Sequence, residues 1–156
     1  MALSMRTLEE QKIINLSCKY FPRTEASLVE LCKDPEVYLG DINTSLITDM
    51  SDLFFCSKRE DFSGIQTWDV SRVRDMSFMF CGCENFNEDL SDWNVSNVEN
   101  MYGMFDSCKA FTHDISSWFI YNKPWTQNMF YNTDRHEKSE DDFKIEFYDR
   151  YGDLNF

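Results

Sequence analysis

The sequence predicts an α/β solenoid of about four stacked repeats, each with one short strand and one short helix or 3₁₀ turn, behind a helical N-terminal cap. Three observations lead to this expectation. A segment of the chain recurs after 25 residues, the spacing of apolar residues changes within each copy, and the outermost copies are degenerate. Degenerate outer copies are typical of repeat arrays, in which an end unit has a neighbour on one side only.

The repeat is clearest between residues 65–80 and 90–105, where Trp68 matches Trp93 at an offset of 25 residues. A degenerate copy precedes this pair at an offset of 26 residues, and another degenerate copy follows the pair. We therefore predict a solenoid over residues 39–130. Its copies 1 to 4 begin at Leu39, Ile65, Leu90 and Ile115.

Within a copy, the period of the apolar residues changes. Trp68 and Val70 are spaced by two, with a polar residue between them, which favours a short strand. Val73, Met76 and Met79 then follow at intervals of three, which favours one face of a helix or 3₁₀ turn. Neither short element can bury its apolar side alone, so we expect the copies to stack.

A serine marks the point at which the period changes. Ser96 is followed three residues later by Glu99, a spacing that fits the capping box of a helix N-terminus. Ser71 and Ser45 occupy the same position in the two preceding copies. We therefore expect the second element of each copy to begin at this serine.

The two ends of the chain are expected to close the stack. Residues 1–38 show helical spacing, and Thr24 is placed to cap a second helix that ends at Asp34. Residues 131–156 begin with a polar, acidic stretch and continue into alternating apolar residues around Ile145. We predict a helical N-terminal cap over residues 1–38, and an acidic loop with a C-terminal cap over residues 131–156.

The cysteines and histidines give no sign of chemistry. Cys83 and Cys108 occupy the same repeat position, so we expect free thiols in one buried column. Neither His113 nor His136 has a second ligand at metal-binding spacing, and the sequence contains no nucleotide-binding or nucleophile motif. We therefore expect no catalytic residues, no cofactor and no metal, and we predict that the protein is not an enzyme.

The charge of the chain limits its partners. The formal net charge is -13 and the isoelectric point is about 4.4. Such a chain lacks the basic surface that direct nucleic-acid binding requires, and anionic membranes repel it. The charge either serves solubility or forms an acidic surface for a basic partner.

The sequence also bears on location. No apolar stretch has the length of a membrane span, and the N-terminus lacks the pattern of a secretory signal. We expect a cytoplasmic protein, or a cell-surface protein if a leader peptide has been removed.

Two columns of positions are candidates for partner binding. They lie between the buried residues of the predicted strands, and in a stack such positions line up on one face. The columns are Asp41, Thr67, Asp92 and Ser117, and Asn43, Asp69, Asn94 and Phe119. We call this surface the polar-column face. It is either a recognition surface or a set of solvated strand positions.

Phe119 breaks the polar pattern of its column. Tyr121 and Trp125 lie close to it in the sequence. This aromatic group is either a binding anchor or, in the interpretation that we favour, packed beneath the C-terminal cap.

The motif W-x-V-S-x-V-x-x-M-x-x-M-F-x-x-C-x-x-F-N-x-D-L-S-x-W, over residues 68–93, resembles the BspA-like leucine-rich-repeat family. More narrowly, it resembles the DUF285 type of repeat found in mycoplasma surface lipoproteins. The resemblance is specific over residues 65–111 and extends in weaker form over 39–130. It implies a right-handed, leucine-rich-repeat-like solenoid that serves protein–protein recognition or adhesion, and it implies no catalytic residues. Unlike the surface members, this sequence shows no lipobox cysteine near its start.

These observations together predict a non-enzymatic protein–protein recognition module that binds through the polar-column face, and we expect it to be a monomer. The partner is expected to be another protein, with a basic surface as one option. The alternative is an acidic inhibitor or nucleic-acid mimic, of a phage or virus type, that blocks a basic nucleic-acid-binding enzyme.

Overall fold

The computed structural model of the protein describes residues 6–120 and 124–134. Two α-helices come first, α1 at Leu8–Ser17 and α2 at Glu25–Lys33. Two short 3₁₀ helices follow, at Leu39–Asp41 and Ile65–Thr67. The remainder of the described chain consists of turns, extended segments and isolated β-bridges.

Both α-helices begin with a capping box. The hydroxyl groups of Thr7 and Thr24 accept a backbone N–H from the third helical residue, at 3.2 Å in each helix. These bonds satisfy donors that have no partner within a helix. The prediction that Thr24 caps a helix ending at Asp34 is confirmed, because Asp34 is the C-cap of α2.

Helix α2 is anchored in the hydrophobic core. Leu28 and Cys32 are 0% and 3% exposed and belong to the same buried cluster as the residues of the repeats. Arg59 of copy 1 donates to the carbonyl oxygens of Asp34 at 2.9 Å and Val37 at 2.5 Å. The cap and the first repeat are therefore held together by both apolar packing and hydrogen bonds.

Successive copies lie side by side and are joined by parallel β-bridges. Asp49 pairs with Asp75, Asp75 with Asn100, and Asn100 with Trp125. The paired residues are the equivalents that the repeat alignment assigns to one another. The register predicted from the sequence is therefore confirmed in the described residues.

Each copy continues from its bridge into three overlapping turns, which we call the turn ladder. The four segments of the turn ladder are residues 50–57, 76–83, 101–108 and 126–133. In copy 2, the N–H groups of Met79, Cys81 and Cys83 donate to the carbonyl three residues earlier, at 2.9–3.2 Å. The alternate N–H groups donate to the next copy instead. In copy 2 these are Met76, Phe78, Phe80 and Gly82, which donate to Asn100, Tyr102, Met104 and Asp106 at 2.8–3.0 Å.

The turn ladder depends on left-handed backbone conformations, four residues apart in each copy. The residues with positive φ in the four segments are Asp52 and Cys56, Phe78 and Gly82, Gly103 and Ser107, and Asn128 and Asn132. An α-helix needs right-handed conformations throughout. These residues therefore prevent the turns from continuing as a helix, and they free alternate N–H groups to bond the next copy.

The interior of the stack consists of columns of equivalent side chains. Phe54, Phe80, Phe105 and Phe130 stack with ring centroids 5.6–5.7 Å apart and planes within 8° of parallel. The indole N–H groups of Trp68, Trp93 and Trp118 donate to the carbonyl groups of Leu39, Ile65 and Leu90 in the preceding copy, at 2.8–3.2 Å. Each copy thus satisfies its buried polar indole through its neighbour.

The predicted cysteine column is confirmed. Cys83 and Cys108 are free thiols, 2% and 0% exposed. Their Sγ atoms lie 3.0 and 2.9 Å from the carbonyl oxygens of Phe54 and Phe80. Burial raises the pKa of Cys83 to about 12, so its thiol stays protonated at neutral pH.

The structure differs from the sequence-based expectation within each copy. The segment with the spacing of two begins in copy 2 with the 3₁₀ helix Ile65–Thr67 and forms no strand. The bonds between copies lie instead in the turn ladder, for which the spacing of three predicted a helix or 3₁₀ turn. The turns have hydrogen bonds that span three residues, as the expected 3₁₀ turn has, and they place Met76, Met79 and Cys83 in the interior.

The predicted capping box at Ser96 is also wrong. No helix begins there, and the hydroxyl of Ser96 donates to the side chain of Asn94 at 2.7 Å. Glu99 is ion-paired with Arg74 of the preceding copy. The serine therefore stabilises a turn, not a helix.

Other expectations stay predictions. These are the leucine-rich-repeat-like solenoid class and the division into domains at residues 38 and 130. The predicted C-terminal cap lies outside the described residues from residue 135 onward, and so does Tyr121.

Candidate functional site

The structure brings the residues of the polar-column face together along the stack. Hydrogen bonds join one residue of each column to a neighbouring copy: Thr44 Oγ1 donates to the carbonyl oxygen of Asp69 at 2.9 Å, and Ser117 Oγ donates to the carbonyl oxygen of Ser91 at 3.2 Å. The accessibility and the side-chain partners of the column residues decide whether they can bind another molecule.

Helix α1 lies across the first half of this face. Gln11 Nε2 donates to the carbonyl of Thr67 at 3.1 Å, and Asn15 Nδ2 donates to Asp69 Oδ2 at 3.2 Å. Asn43 Nδ2 donates to the carbonyl of Asn15 at 3.1 Å. Three residues predicted to bind a partner thus already bind α1.

Asp41 also has a partner within the chain. Lys19, which follows α1, donates to Asp41 Oδ2 at 2.6 Å, and this bond raises the pKa of Lys19. The open half of the polar-column face is therefore limited to Asp92, Asn94, Ser117 and Phe119.

Two of the four side chains of the open half also have a structural role. Asn94 Oδ1 accepts the N–H and the hydroxyl of Ser96, and the Ser117 hydroxyl is bound to Ser91. Asp92 and Phe119 are half-buried. The geometry therefore favours the interpretation in which these positions mainly build the turns of the repeat.

The bonds at Asn94 are one case of a general device. Among the described residues of 39–130, nine Asp or Asn side chains accept the backbone N–H two residues later, each forming an Asx turn, at 2.8–3.2 Å. The positions are Asn43, Asp49, Asp61, Asp69, Asp75, Asp89, Asn94, Asn100 and Asp114. Six of the nine are aspartates, so part of the negative charge belongs to the architecture of the repeat.

A second surface was not predicted from the sequence. On the outer side of the turn ladder, three aromatic rings follow one another along the stack. The ring centroids of Phe55 and Phe78 are 6.3 Å apart, and those of Phe78 and Tyr102 are 5.2 Å apart, both in edge-to-face geometry. We call these three side chains the aromatic row. Asn128 Nδ2 continues it by donating to Tyr102 Oη at 2.9 Å.

The aromatic row is open to solvent. Phe55 is 51% exposed, and Phe78 and Tyr102 are half-buried. The ring of Phe78 lies over Gly103, where a Cβ atom would come within 2.8 Å of the ring. The glycine therefore gives Phe78 its place on the surface of copy 3.

Copy 4 presents further aromatic side chains from its turn ladder and the bridge before it. Trp125 is 70% exposed and Tyr131 is 55% exposed. The interpretation that the aromatic group around Phe119 packs beneath the C-terminal cap stays a prediction, because that cap lies outside the described residues. Large exposed aromatic side chains of this kind are enriched at the centres of protein interfaces.

Carboxylates accompany the aromatic row. Asp52 and Asp106 lie within the turn-ladder segments, and Asp49 and Asp75 are the bridge residues before two of them. Glu99 directly precedes the bridge residue of copy 3. Arg74, a cation in the same region, is ion-paired with Glu99. Burial, and then the nearby Asp106 carboxylate, raises the pKa of the half-buried Cys81 thiol to about 11. The row therefore lies in a negative environment.

A weak signal for the aromatic row was present in the sequence. Phe78 stands between the buried Met76 and Met79, where the spacing of three leaves it no inward position. Its equivalent in copy 3 is Gly103, which indicates a backbone or packing requirement. The pattern could not show that the ring and the glycine meet.

The described residues give no sign of a metal centre or a membrane span. In residues 6–120 and 124–134, no group of three or more His, Cys, Asp or Glu side chains is arranged to hold a metal ion. The two helices of this part of the chain lack the length and apolar character needed to cross a bilayer.

Comparisons with known proteins place the chain in a family. No curated protein matches it significantly. No solved structure matches it significantly either. A family model described as "Mycoplasma protein of unknown function, DUF285" matches residues 26–146, which is most of the chain, and the chain therefore belongs to the DUF285 family.

Proposed function

We propose that this protein is a non-enzymatic recognition module that binds another protein through the aromatic row of its turn ladder. The observation that carries the proposal is the continuity of Phe55, Phe78 and Tyr102 across three copies, with ring centroids 5.2–6.3 Å apart on an exposed surface. An isolated exposed ring is common in proteins, whereas a contiguous series is typical of an interaction site.

The partner in this proposal presents basic side chains. Asp52 lies in the same turn-ladder segment as Phe55, Asp106 lies in the same segment as Tyr102, and the chain carries a net charge of -13. Electrostatic complementarity of this kind accelerates association and selects among partners. The polar-column face contributes less, because α1 and the Asx turns occupy most of its polar groups.

The proposal includes a BspA-like, leucine-rich-repeat-like solenoid as the scaffold. Support comes from the parallel bridges between equivalent residues and from the inward columns of Phe and Trp side chains. A scaffold of this type holds outward side chains in rows at fixed spacing.

The experiment compares partner capture by three purified proteins. The first is the wild type, and the second carries Phe78→Asn and Tyr102→Ser. Asn128 of copy 4 is the equivalent of Phe78 and has the same left-handed backbone, and Ser77 of copy 2 is the equivalent of Tyr102. Both replacement residues therefore already occur at these positions of the repeat. The third carries Asp92→Ser on the polar-column face, where Ser117 is the equivalent residue.

The three proteins are immobilised and exposed to an extract of the source cell, and the bound proteins are quantified by mass spectrometry. We expect at least one protein to bind the wild type and Asp92→Ser equally, and to be lost from the double variant. Loss on Asp92→Ser with retention by the double variant would assign binding to the polar-column face and overturn the proposal.

The acidic-inhibitor hypothesis makes a different prediction. A nucleic-acid mimic needs carboxylates on one contiguous surface, whereas six aspartates here hold Asx turns in different parts of the repeat. Capture of a basic nucleic-acid-binding enzyme that does not depend on the aromatic row would favour the mimic.

A further inference from the structure

The direction of the aromatic row is the first clue to the kind of segment it binds. Its rings are contributed by successive copies, so the row runs along the stack and not along the chain of one copy. A bound segment that contacts all three rings must therefore also run along the stack.

The spacing of the rings is the second clue. Neighbouring centroids are 5.2 and 6.3 Å apart. In an extended segment, side chains on one side recur every two residues, about 6.6–6.8 Å apart. The distance between alternate side chains of an extended segment is thus close to the distance between neighbouring rings of the row. Adjacent side chains of the segment point to opposite sides.

The chemistry of the surface is the third clue. A guanidinium group can stack flat on an aromatic ring and, at the same time, donate to a carboxylate that lies in the plane of the guanidinium. An ammonium group is a compact, strongly hydrated point charge and lacks this planar geometry. Asp52 is exposed in copy 1, and Asp106 is half-buried in copy 3. Arg74 is ion-paired with Glu99. Asp106 Oδ1 accepts the hydroxyl of Ser107 at 2.8 Å, and a carboxylate can accept further donors, such as those of an external cation.

We infer that the aromatic row receives an extended protein segment with arginine at alternate residues, running along the stack. This inference rests on the proposed function and specifies the partner of the same surface. Each arginine lies against a ring of the row and donates to a neighbouring carboxylate, and the intervening residues face solvent.

Synthetic peptides test this inference without knowledge of the natural partner. Three acetylated and amidated nine-residue peptides are compared: one with Arg and Thr alternating, one with Lys in place of Arg, and one with the same Arg and Thr content in two blocks. Their dissociation constants are measured by calorimetry at about 0.15 M salt, where long-range attraction between exposed charges is largely screened.

We expect the alternating Arg peptide to bind several-fold more tightly than the Lys and block peptides. Phe78→Asn with Tyr102→Ser should weaken its binding by roughly tenfold, because two cation–π contacts are lost. Asp92→Ser should leave its affinity unchanged. Phe55→Ser provides a second row variant, with a smaller loss, and circular dichroism verifies that all variants are folded.

Two results would overturn the inference. Equal affinity for the three peptides, unaffected by the row variants, would mean that the acidic chain attracts cations without a defined site. No binding of the alternating Arg peptide, together with loss of the cellular partner on Phe78→Asn with Tyr102→Ser, would leave the proposed function standing and refute the arginine assignment alone.

Discussion

Two sets of aromatic rings run through the same turns with opposite consequences. Phe54, Phe80, Phe105 and Phe130 stack in parallel on the inner side, whereas the aromatic row on the outer side meets edge to face. Phe54 and Phe55 are adjacent in the chain, yet they are 2% and 51% exposed. The backbone of the turn ladder thus supports a core on one side and a surface on the other, and residue type alone does not tell which side a ring takes.

The largest expected difference between the two sides concerns their thiols. Cys56 is exposed and Cys81 half-buried on the outer side, whereas Cys83 and Cys108 are buried. We expect a water-soluble maleimide at pH 7 to modify Cys56 first and Cys83 and Cys108 slower by on the order of a thousandfold or more, because buried thiols react only after local opening. Site-specific rates come from mass spectrometry of quenched samples.

Cys81 should react more slowly than Cys56, because its raised pKa, about 11, leaves little thiolate. In denaturant all six thiols should react at similar rates, which serves as the control. If Cys83 reacts as fast as Cys56 in the folded protein, the inner column is accessible and the comparison fails.

Truncation of an inner ring should cost far more stability than removal of an outer one. Phe105 is fully buried and stacks on Phe80, Phe111 and Phe130, so we expect Phe105→Ala to lower the free energy of unfolding by about 3–5 kcal/mol. Phe78→Asn should cost less than about 1 kcal/mol, since Asn tolerates the left-handed backbone at this position. Urea unfolding followed by circular dichroism measures both, and equal losses would contradict the assignment of sides.

Gly103→Ala tests the contact that places Phe78 on the surface. The glycine has a φ of 59°, and a Cβ atom there would lie 2.8 Å from the Phe78 ring. We expect a loss of about 1–2 kcal/mol in unfolding free energy from backbone conformation, with an added cost from the ring.

A double-mutant cycle separates these two costs. Gly103→Ala should be less destabilising in a chain that already carries Phe78→Asn, because the ring is absent. If the cost is the same in both backgrounds, the ring does not press on Gly103, and the position of Phe78 needs another explanation.

The smallest expected effect comes from a single Asx turn, formed by Asp89 just before copy 3. The hydroxyl and N–H of Ser91 hold the pKa of Asp89 below its usual range. Its contribution to stability is therefore present above the unfolded pKa of about 3.9 and is lost as pH falls through the lower folded value. Asp89→Asn should keep the turn and flatten this part of the stability profile below about pH 4, measured by thermal unfolding. An unchanged profile in the variant would show that Asp89 does not contribute to it.

Sequence reasoning was sufficient where a single residue type has a single role. The match of Trp68 with Trp93 gave the register of the copies, Thr24 marked the start of α2, and Cys83 was correctly placed in the interior. In each case the residue repeats at a fixed offset or has a strong local preference. Features of this kind can be predicted from the sequence.

The remaining features depend on contacts that the pattern does not encode. The first left-handed position of the turn ladder is occupied by four different residues, namely Asp52, Phe78, Gly103 and Asn128. The turn ladder therefore cannot be predicted from a shared residue type at this position. Helix α1 buries no side chain and leaves Leu8 and Leu16 more than 80% exposed, while its polar residues face the stack. Amphipathic spacing predicts the opposite orientation, because it assumes that the apolar side packs inward.

The Asx turns have a consequence for how such a chain can change over time. Asp and Asn make the same bond at these corners, as Asp69 and Asn94 do at equivalent positions. Exchanging one for the other alters the charge by one unit while the turn is retained. The isoelectric point of the protein can therefore drift widely, or be tuned to a new neighbour, through single substitutions that leave its scaffold untouched.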